Sequence, residues 1–493
     1  MSAKYLWKGL YALHQQDIPN LNFRVYGTAR APPGPGRRKI REYIDRIPCE
    51  GSQCAHLKDF SDSIEYFQLK TTDQWTSICQ KLNATGGKDG TLEKSRIFYL
   101  AIPPFAYDFV ARQIHRQCRP ANPSASLRVA FEKPFGHNYN SAQTLAKQLK
   151  ELFLENEMLH VDHYLGKPVI RDLLEIRRQN PNLFNRRHVK RVDIVVREAI
   201  DVKGRTNFYN SVGVIRDVLQ NHATEMLCLI GADIPTYYKS EEEKMALWER
   251  NKVTFLSSLK PLNPSQMVLA GRYQGYDSHV HSENGGPPYM PTFASAALTI
   301  SDPQSSWYGV PFVLTSGKST GLRESYIRVT LFPDRENAEK KAGEKLRPQR
   351  CSPPLDGKSD RWATCIGKGV LFYIQGEGKK AQINGLQMEI QGKSWRREAE
   401  DSWKFHGPAK PYDHLIQALI SGNRASFAQT SSLLASWRVW DGIISAGETS
   451  PQNSSHFIYQ PQDLTESVIS ITEDGILQLQ RKSSASRSLH DGL

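Results

Sequence analysis

The sequence predicts two domains, an α/β domain with a parallel sheet followed by an α+β domain with a large, mainly antiparallel sheet. The chain has 493 residues, of which 39% are hydrophobic, and this is more than one small core accommodates. Up to about residue 160, strand-like and helix-like segments alternate, which indicates parallel strands joined by helical crossovers. Beyond that point strand-like segments follow one another, which is typical of an antiparallel sheet.

The segments of the first part have clear start and stop signals. Strands are predicted over 21–30, 96–104 and 127–134, with prolines closing the last two, and helices over 105–118 and 140–154. We expect Asn140 or Ser141 to cap the second of these helices. An amphipathic helix is also predicted at the start of the chain, because Leu6, Leu10 and Leu13 share one face.

The second part begins with a strand over 189–198 and a long helix over 212–231, for which Gly231 is the expected C-cap. Further strands are predicted over 293–301, 310–317, 325–332, 370–375 and 386–390. A stretch rich in Pro, Gly and Lys, 343–361, separates two of them, and a helix is predicted over 431–446. The polar tail over 481–493 is predicted to be disordered.

The composition favours an anionic small molecule as partner. The net charge is +13, but the basic residues form only short clusters such as Arg37, Arg38 and Lys39, without interleaved aromatic residues. Phosphorylated metabolites therefore fit better than nucleic acid, for which we expect no binding. We also expect no membrane insertion, since the chain lacks an apolar run of about eighteen residues.

The cysteines leave one question open. Seven in 493 residues do not form a disulfide scaffold, and neither they nor the histidines show zinc-type spacing, so no metal site is predicted. Cys49 and Cys54 lie close together in a loop-like stretch. A disulfide between them and two free thiols are equally consistent with that spacing.

Three segments concentrate polar chemistry. Lys133, in the segment 132–136, follows a predicted parallel strand, and the carboxyl ends of such strands face the crevice where open α/β sheets bind ligands. Residues 162–167 hold Asp, His, Tyr and Lys side chains in six positions, and His with Lys suits a phosphate dianion. A solvated lysine before a turn and a capped helix start are the alternatives for these two segments.

The third segment, 215–222, places Asp217, Gln220, Asn221 and His222 within an otherwise apolar helical pattern. Polar groups inside an apolar helix form either a satisfied buried network or a functional site. Because three carboxamide and carboxylate groups neighbour the histidine, the pattern favours a site.

Taken in this order, the three segments resemble the core of the glucose-6-phosphate dehydrogenase family. The resemblance covers roughly residues 4–440, including the stretch REAIDVKGRTNFYNSVGVIRD. The chain resembles the endoplasmic reticulum hexose-6-phosphate dehydrogenase branch more than the cytosolic one. This resemblance is carried by the motifs RTNFY, SSLLASW and KYLWKGL and by the pair Cys49 and Cys54. In that branch the dehydrogenase is one part of a bifunctional enzyme, whose other part is a lactonase.

The resemblance implies NADP-dependent oxidation of glucose 6-phosphate to its lactone, the oxidative step of the pentose phosphate pathway. Other hexose phosphates and glucose stay open as substrates. His222 matches the general base, and Asp162 matches the carboxylate that orients it. The residues that match substrate contacts are Lys133, His163, Tyr164, Lys167, Glu198, Asp217, Lys318 and Arg323.

On the cofactor side, the resemblance implies contacts from Arg30, Tyr107 and Lys133. Arg30 follows a predicted strand, where an acidic residue would bind a ribose 2′-hydroxyl and an arginine favours the 2′-phosphate of NADP. A surface arginine is the alternative.

The sequence departs from the family at its start, where the first strand and the Gly-rich turn that cradles the pyrophosphate are not found. We therefore expect residues 1–160 to be an incomplete Rossmann-like NADP-binding domain and 161–480 a domain for substrate binding and homodimer formation. Two hypotheses follow, an active dehydrogenase and a catalytically silent homologue that retains sugar-phosphate binding and dimerisation. The resemblance predicts the lumen of the endoplasmic reticulum, whereas a genuine start at Met1 predicts the cytoplasm.

Overall fold

The computed structural model describes residues 2–16, 21–85, 95–262, 268–283, 286–332, 369–375, 387–390, 393–395, 410–449, 456–465, 467–471 and 477–481. The predicted linker 343–361 and all but the first residue of the predicted tail lie outside these ranges. The chain forms two compact units, one of Met1–Pro168 with Phe405–Ser431 and the other of Val169–Lys404 with Ser432–Leu493. No helix in the described ranges has both the length and the apolar character to cross a membrane.

The first unit alternates helices and short strands. Its helices are α1 (Ser2–His14), α2 (Pro33–Ile44), α3 (Ser52–Ser63), α4 (Thr72–Thr85), α5 (Tyr107–Gln117), α6 (Tyr139–Lys150) and, late in the chain, α12 (Pro411–Ser421). Its strands are β1 (Tyr26–Ala29), β2 (Glu65–Gln68), β3 (Ser95–Leu100), β4 (Ser126–Phe131) and β5 (Met158–His160).

All strand pairs of the first unit are parallel, which confirms the predicted α/β sheet. β1 pairs with β2, and β3, β4 and β5 form a second ladder in that order. Within the described residues the two ladders share no strand. As the strands are parallel, the carboxyl ends of β3, β4 and β5 lie at one edge, which places Lys133 and the 162–167 segment at the same edge.

The α6 boundary corrects one expectation. Neither Asn140 nor Ser141 caps this helix, since the cap is Asn138, whose side chain accepts from the Ser141 backbone N–H at 2.9 Å. Ser141 reciprocates, because its hydroxyl accepts from the backbone N–H of Asn138 at 3.1 Å. The helix therefore begins at Tyr139, one residue before the predicted start, and its cap lies two residues before Asn140.

The described residues 410–431 belong to the first unit, and α12 completes the core of that unit. Leu415, Ala418 and Leu419 of α12 pack with Leu159 and Val161 from the β5 region, and all five are buried. Apolar groups on the sheet are thereby removed from water, at about 25 cal/mol for each Å². The structural units thus interleave along the chain, unlike the continuous spans 1–160 and 161–480, which stay predictions.

Two disulfides lie in the first unit. Cys49 pairs with Cys54, which confirms one of the two alternatives drawn from their spacing. A second bond joins Cys79 on α4 to Cys118 at the end of α5, with a Cα–Cα distance of 4.9 Å. Both of these cysteines are buried, and the sequence analysis gave no indication that they pair.

The second unit contains the remaining elements. Its helices are α7 (Pro168–Gln179), α8 (Thr206–Val214), a π-helix (Ile215–Ala223), α9 (Thr224–Gly231), α10 (Glu241–Ser257), α11 (Tyr276–Ser282), α13 (Thr430–Thr449) and α14 (Pro461–Thr465). Its strands are β6 (Val189–Arg197), β7 (Val268–Tyr273), β8 (Phe293–Leu298), β9 (Phe312–Gly317), β10 (Glu324–Leu331), β11 (Gly369–Gln375), β12 (Gln387–Ile390), β13 (Lys393–Trp395), β14 (Phe457–Tyr459), β15 (Ser467–Ile471) and β16 (Leu477–Arg481).

A nine-stranded sheet with the order β13-β12-β11-β10-β6-β9-β8-β7-β14 dominates this unit. Its pairs are antiparallel except β6 with β9 and β7 with β14, so the predicted mainly antiparallel sheet is confirmed as a mixed one. The central strands β8 and β9 are buried along their whole length. This burial explains why their sequences are continuously apolar or small instead of alternating.

The predicted helix over 212–231 is divided into three parts. The chain bends at Gly213, whose φ of 66° and ψ of 170° suit glycine, before the π-helix begins. The helix does end at Gly231, but the C-cap is Ala232, which corrects the predicted role of Gly231. Gly231 is needed for space, because a Cβ there would overlap the ring of Phe255.

The Cys79–Cys118 disulfide yields a stability prediction. Its two cysteines are 39 residues apart, so the crosslink restricts the unfolded chain, and the double serine variant should lose about 2–4 kcal/mol of unfolding free energy. Urea denaturation of the oxidised protein measures the difference. The matched control removes Cys49–Cys54, whose separation of 5 closes a much shorter loop and should cost less. Equal losses would contradict the loop-closure argument.

Candidate active site

In the second unit a buried cation lies between two carboxylates. Lys318 follows β9 and Glu198 follows β6, and because these strands pair in parallel, both residues emerge at the same edge of the sheet. The Lys318 Nζ contacts Glu198 Oε2 and lies 2.8 Å from Asp217 Oδ2 on the π-helix. Three residues predicted to bind substrate are thus brought together.

The two carboxylates keep Lys318 charged. Burial alone would lower the pKa of this nearly inaccessible lysine, but Asp217 and Glu198 outweigh it and raise the pKa above the ordinary 10.5. Its backbone is also fixed, because the Tyr459 hydroxyl donates to the Lys318 carbonyl at 2.6 Å. The cluster can therefore present a fixed cation and two hydrogen-bond acceptors to a polyhydroxyl ligand.

Tyr209, a residue of the same unit, packs against the Lys318 cluster. The Lys318 Nζ lies 5.6 Å from the centre of its ring, within the range of a cation–π contact. The Tyr209 side chain is buried, and its hydroxyl has no hydrogen-bond partner among the described residues. Burial raises the pKa of this hydroxyl, and Asp217 raises it further, so it stays protonated. Tyr209 was not among the predicted site residues.

The π-helix places His222 and Asp217 about one turn apart, because its hydrogen bonds link residues i and i+5. In the α-helix assumed from the sequence, Asp217 would instead align with Asn221. His222 is 4% exposed, and its backbone N–H donates to Asn221 Oδ1 at 2.5 Å. The Asn221 amide in turn donates to the Arg216 carbonyl at 2.9 Å, which satisfies part of the widened turn.

In the first unit, the segment 162–167 forms a tight turn after β5. The Asp162 Oδ1 accepts from the Tyr164 backbone N–H at 2.8 Å, so this carboxylate shapes the turn as an Asx motif. The Lys167 Nζ lies 4.0 Å from the centre of the Tyr164 ring, and both residues are buried. His163 contacts the Tyr164 ring at a centroid distance of 4.9 Å.

Glu132 and Lys133 follow β4 at the same edge. The Glu132 carboxylate accepts from the hydroxyls of Tyr99 and Tyr412, the latter at 3.3 Å, and the Glu132 carbonyl accepts from Tyr107. The strand-end pattern predicted Lys133 as a functional residue but did not predict Glu132 or Tyr412. Glu132 was inside a selected motif, whereas no local signal connects Tyr412 with it across some 280 positions of separation.

The remaining predicted residues occupy distinct environments. Arg30 is exposed directly after β1, at the carboxyl end of a parallel pair. Tyr107 is fully buried, and its hydroxyl bonds to Glu132, so it supports the strand end that carries Lys133, and its contact with a cofactor stays a prediction. Arg323 is exposed directly before β10, and its role with substrate also stays a prediction.

Comparison with known families gives two matches that together span most of the chain. The family model described as "Glucose-6-phosphate dehydrogenase, C-terminal domain" matches residues 176–467. The model described as "Glucose-6-phosphate dehydrogenase, NAD binding domain" matches residues 1–172.

Curated relatives agree with these matches. The "GDH/6PGL endoplasmic bifunctional protein" of Oryctolagus cuniculus is 34% identical over 90% of this chain, and so is that of Homo sapiens. This chain spans 57% of the length of each of these two proteins. The "Glucose-6-phosphate 1-dehydrogenase 6, cytoplasmic" of Arabidopsis thaliana is 31% identical, over 90% of this chain and 83% of its own.

A solved structure described as "Glucose-6-phosphate dehydrogenase in complex with its substrate glucose-6-phosphate" has the same fold. Its TM-score is 0.72 at 22% identity, and the match covers 93% of this chain and 91% of that one. The Mycobacterium avium glucose-6-phosphate 1-dehydrogenase structure has a TM-score of 0.68 at 20% identity, with 93% and 92% covered.

The ion cluster can be tested by titrating Lys318. Asp217→Asn should lower the Lys318 pKa, because burial continues to disfavour the charge while one of two compensating carboxylates is lost. Since the folded-state pKa is raised, the charge stabilises the fold below the ordinary lysine pKa, and this contribution is lost as pH rises through the folded-state value. NMR of reductively ¹³C-methylated lysines measures the pKa. Asp201→Asn is the control. An unchanged Lys318 pKa in Asp217→Asn would contradict the ion pair between Lys318 and Asp217.

Proposed function

We propose that this chain oxidises glucose 6-phosphate to the 6-phosphogluconolactone with NADP as acceptor. The chain belongs to the glucose-6-phosphate dehydrogenase family. The observation that supports the proposal is the Lys318 cluster with Glu198 and Asp217, three residues that the family resemblance implies as substrate contacts. Such a cluster suits a sugar, because carboxylates accept hydrogen bonds from hydroxyls and an ammonium donates to their oxygens. Other hexose phosphates and glucose are further candidate substrates.

The phosphate end of the substrate is assigned to His163, Tyr164 and Lys167. Lys167 is buried against the Tyr164 ring, and an ammonium in such a poorly hydrated place suits a phosphate dianion. His163 and the Tyr164 hydroxyl add donors to the same turn. Lys133, at the end of β4, is assigned to both substrate and cofactor.

His222 is assigned the role of general base, which takes the proton of the anomeric hydroxyl as the carbonyl of the lactone forms. Its low exposure limits access of water to the imidazole. Asp162 is assigned the orientation of His222 and the stabilisation of the imidazolium, as in other His–Asp pairs. When bound, NADP supplies the acceptor for the hydride of the anomeric carbon.

Residues at the carboxyl end of β1 fit the adenosine phosphate of NADP. Arg30 is exposed directly after the strand, and Arg37, Arg38 and Lys39 are exposed near the start of α2. A cation at the end of the second strand of a Rossmann-like domain favours a 2′-phosphate over a 2′-hydroxyl. We therefore assign Arg30 to the choice of NADP over NAD.

We propose the endoplasmic reticulum lumen as the location of the enzyme. Two disulfides are consistent with an oxidising compartment, where such bonds form and persist. The relatives at 34% identity bear endoplasmic names, while the one from Arabidopsis thaliana is named cytoplasmic.

We also propose a homodimer, with the large sheet of the second unit as its interface.

Removing the proposed base should abolish catalysis while preserving binding. His222→Ala should lower kcat by about 10²–10⁴-fold, measured as NADPH formation with glucose 6-phosphate. His188→Ala, which removes an exposed histidine, is the control. If Asp162 acts through His222, then Asp162→Asn should have little effect in the His222→Ala background.

Two results would contradict this assignment. Activity retained in His222→Ala would exclude His222 as the base. A wild-type chain that binds glucose 6-phosphate without forming NADPH would favour the alternative, a catalytically silent sugar-phosphate-binding protein.

Cofactor selection is tested at Arg30. Arg30→Ala should raise the KM for NADP about 10–100-fold and leave the KM for NAD nearly unchanged, because a charge-assisted contact to the 2′-phosphate is lost. Steady-state kinetics with both cofactors measures this. Arg46→Ala, an exposed arginine beyond α2, serves as the control. A parallel change for both cofactors contradicts the assignment.

A further inference from the structure

Glu132 is a partly buried carboxylate that the proposed chemistry does not use. It directly follows β4, and two hydroxyls donate to the same oxygen, Oε1, from Tyr99 on β3 and from Tyr412 on α12. The backbone of Glu132 is fixed as well, because its carbonyl accepts from Tyr107. Residues from three separate elements therefore converge on Glu132, the position preceding Lys133.

Tyr412 also contacts His163 in the turn 162–167, to which the substrate phosphate is assigned. Its ring is nearly parallel to that of His163, with an interplanar angle of 13° and a centroid distance of 6.4 Å. It also stacks with Tyr5 of α1, at 14° and 5.6 Å. Both distances lie in the range of aromatic pairs. One side chain thus links the end of β4, the turn after β5 and the first helix.

The charges around Glu132 define the direction of the Tyr412 hydrogen bond. Burial raises the pKa of Tyr412, and the neighbouring Glu132 carboxylate raises it further, so the phenol is neutral and donates. Burial also raises the pKa of Glu132, while Tyr99, Lys133 and Tyr412 act in the opposite direction. The hydroxyl of Tyr412 therefore stabilises the ionised carboxylate beside Lys133.

From these contacts we propose that Tyr412 is a positioning residue for the phosphate end of the substrate. Its ring holds the imidazole of His163, and its hydroxyl ties that ring to Glu132 and so to the strand end that carries Lys133. This inference rests on the proposed function, in which His163 binds the substrate phosphate. It adds a role for Tyr412, a residue 249 positions beyond His163, that acts through His163 and Glu132.

The ring and the hydroxyl of Tyr412 make separable predictions. Tyr412→Leu removes the aromatic face and should weaken binding of inorganic phosphate and of glucose 6-phosphate about three- to tenfold. Tyr412→Phe keeps the face and loses only the hydrogen bond to Glu132, so its affinity should lie between that of the wild type and that of Tyr412→Leu. NADP affinity should fall less than phosphate affinity in both variants, because Lys133 is assigned to both ligands but His163 only to the substrate phosphate.

The measurement is isothermal titration calorimetry of the full chain with inorganic phosphate, glucose 6-phosphate and NADP in turn. Tyr237→Phe, which removes an exposed hydroxyl, is the matched control. Since the readout is binding, it is independent of turnover. A chain that binds glucose 6-phosphate but forms no NADPH would defeat the proposed dehydrogenase activity and still test Tyr412.

Three outcomes would overturn the role of Tyr412. The first is wild-type affinity for both phosphate ligands in Tyr412→Leu. The second is an equal loss of phosphate and NADP affinity in that variant, which indicates general damage to the unit. The third is a loss in Tyr412→Phe as large as in Tyr412→Leu, because the ring would then contribute nothing.

Discussion

The second unit depends on a buried positive charge that only two carboxylates make tolerable. An ammonium placed at the edge of a sheet without water is strongly unfavourable unless anions and hydrogen bonds replace the lost hydration. Lys318 meets this condition only if β6 and β9 run parallel and the π-helix turns Asp217 towards them. The contacts of Lys318 therefore depend on the strand direction and on the helix type together.

In the first unit, short polar turns follow short strands and have to be held in place. The strand β5 has three residues, and the turn after it is shaped by Asp162 bonding to its own backbone. Such turns gain little rigidity from the sheet, so they depend on side chains from elsewhere. Tyr107 and Tyr412 supply this support, which explains why tyrosines surround Glu132.

Most of the architecture could be predicted from local patterns, and strand periodicity located β4, β6 and β9. Of the site residues, Lys133 was expected from its place after a parallel strand, whereas Glu198 and Lys318 came from the family resemblance, because the parallel pairing of β6 with β9 leaves no local signal. What escaped prediction depends on distant pairings, such as Cys79 with Cys118 and Glu132 with Tyr412. The π-helix escaped as well, since its residues have the same apolar period as an α-helix over one or two turns.

The interleaving of the two units has a consequence for biosynthesis. The α12 residues that cover Leu159 and Val161 leave the ribosome only after the whole of Val169–Lys404 has been translated. At ordinary elongation rates this delay is roughly 10–50 s. During that time the nascent chain carries an uncovered apolar sheet face, a state that attracts chaperones and from which aggregation competes with folding.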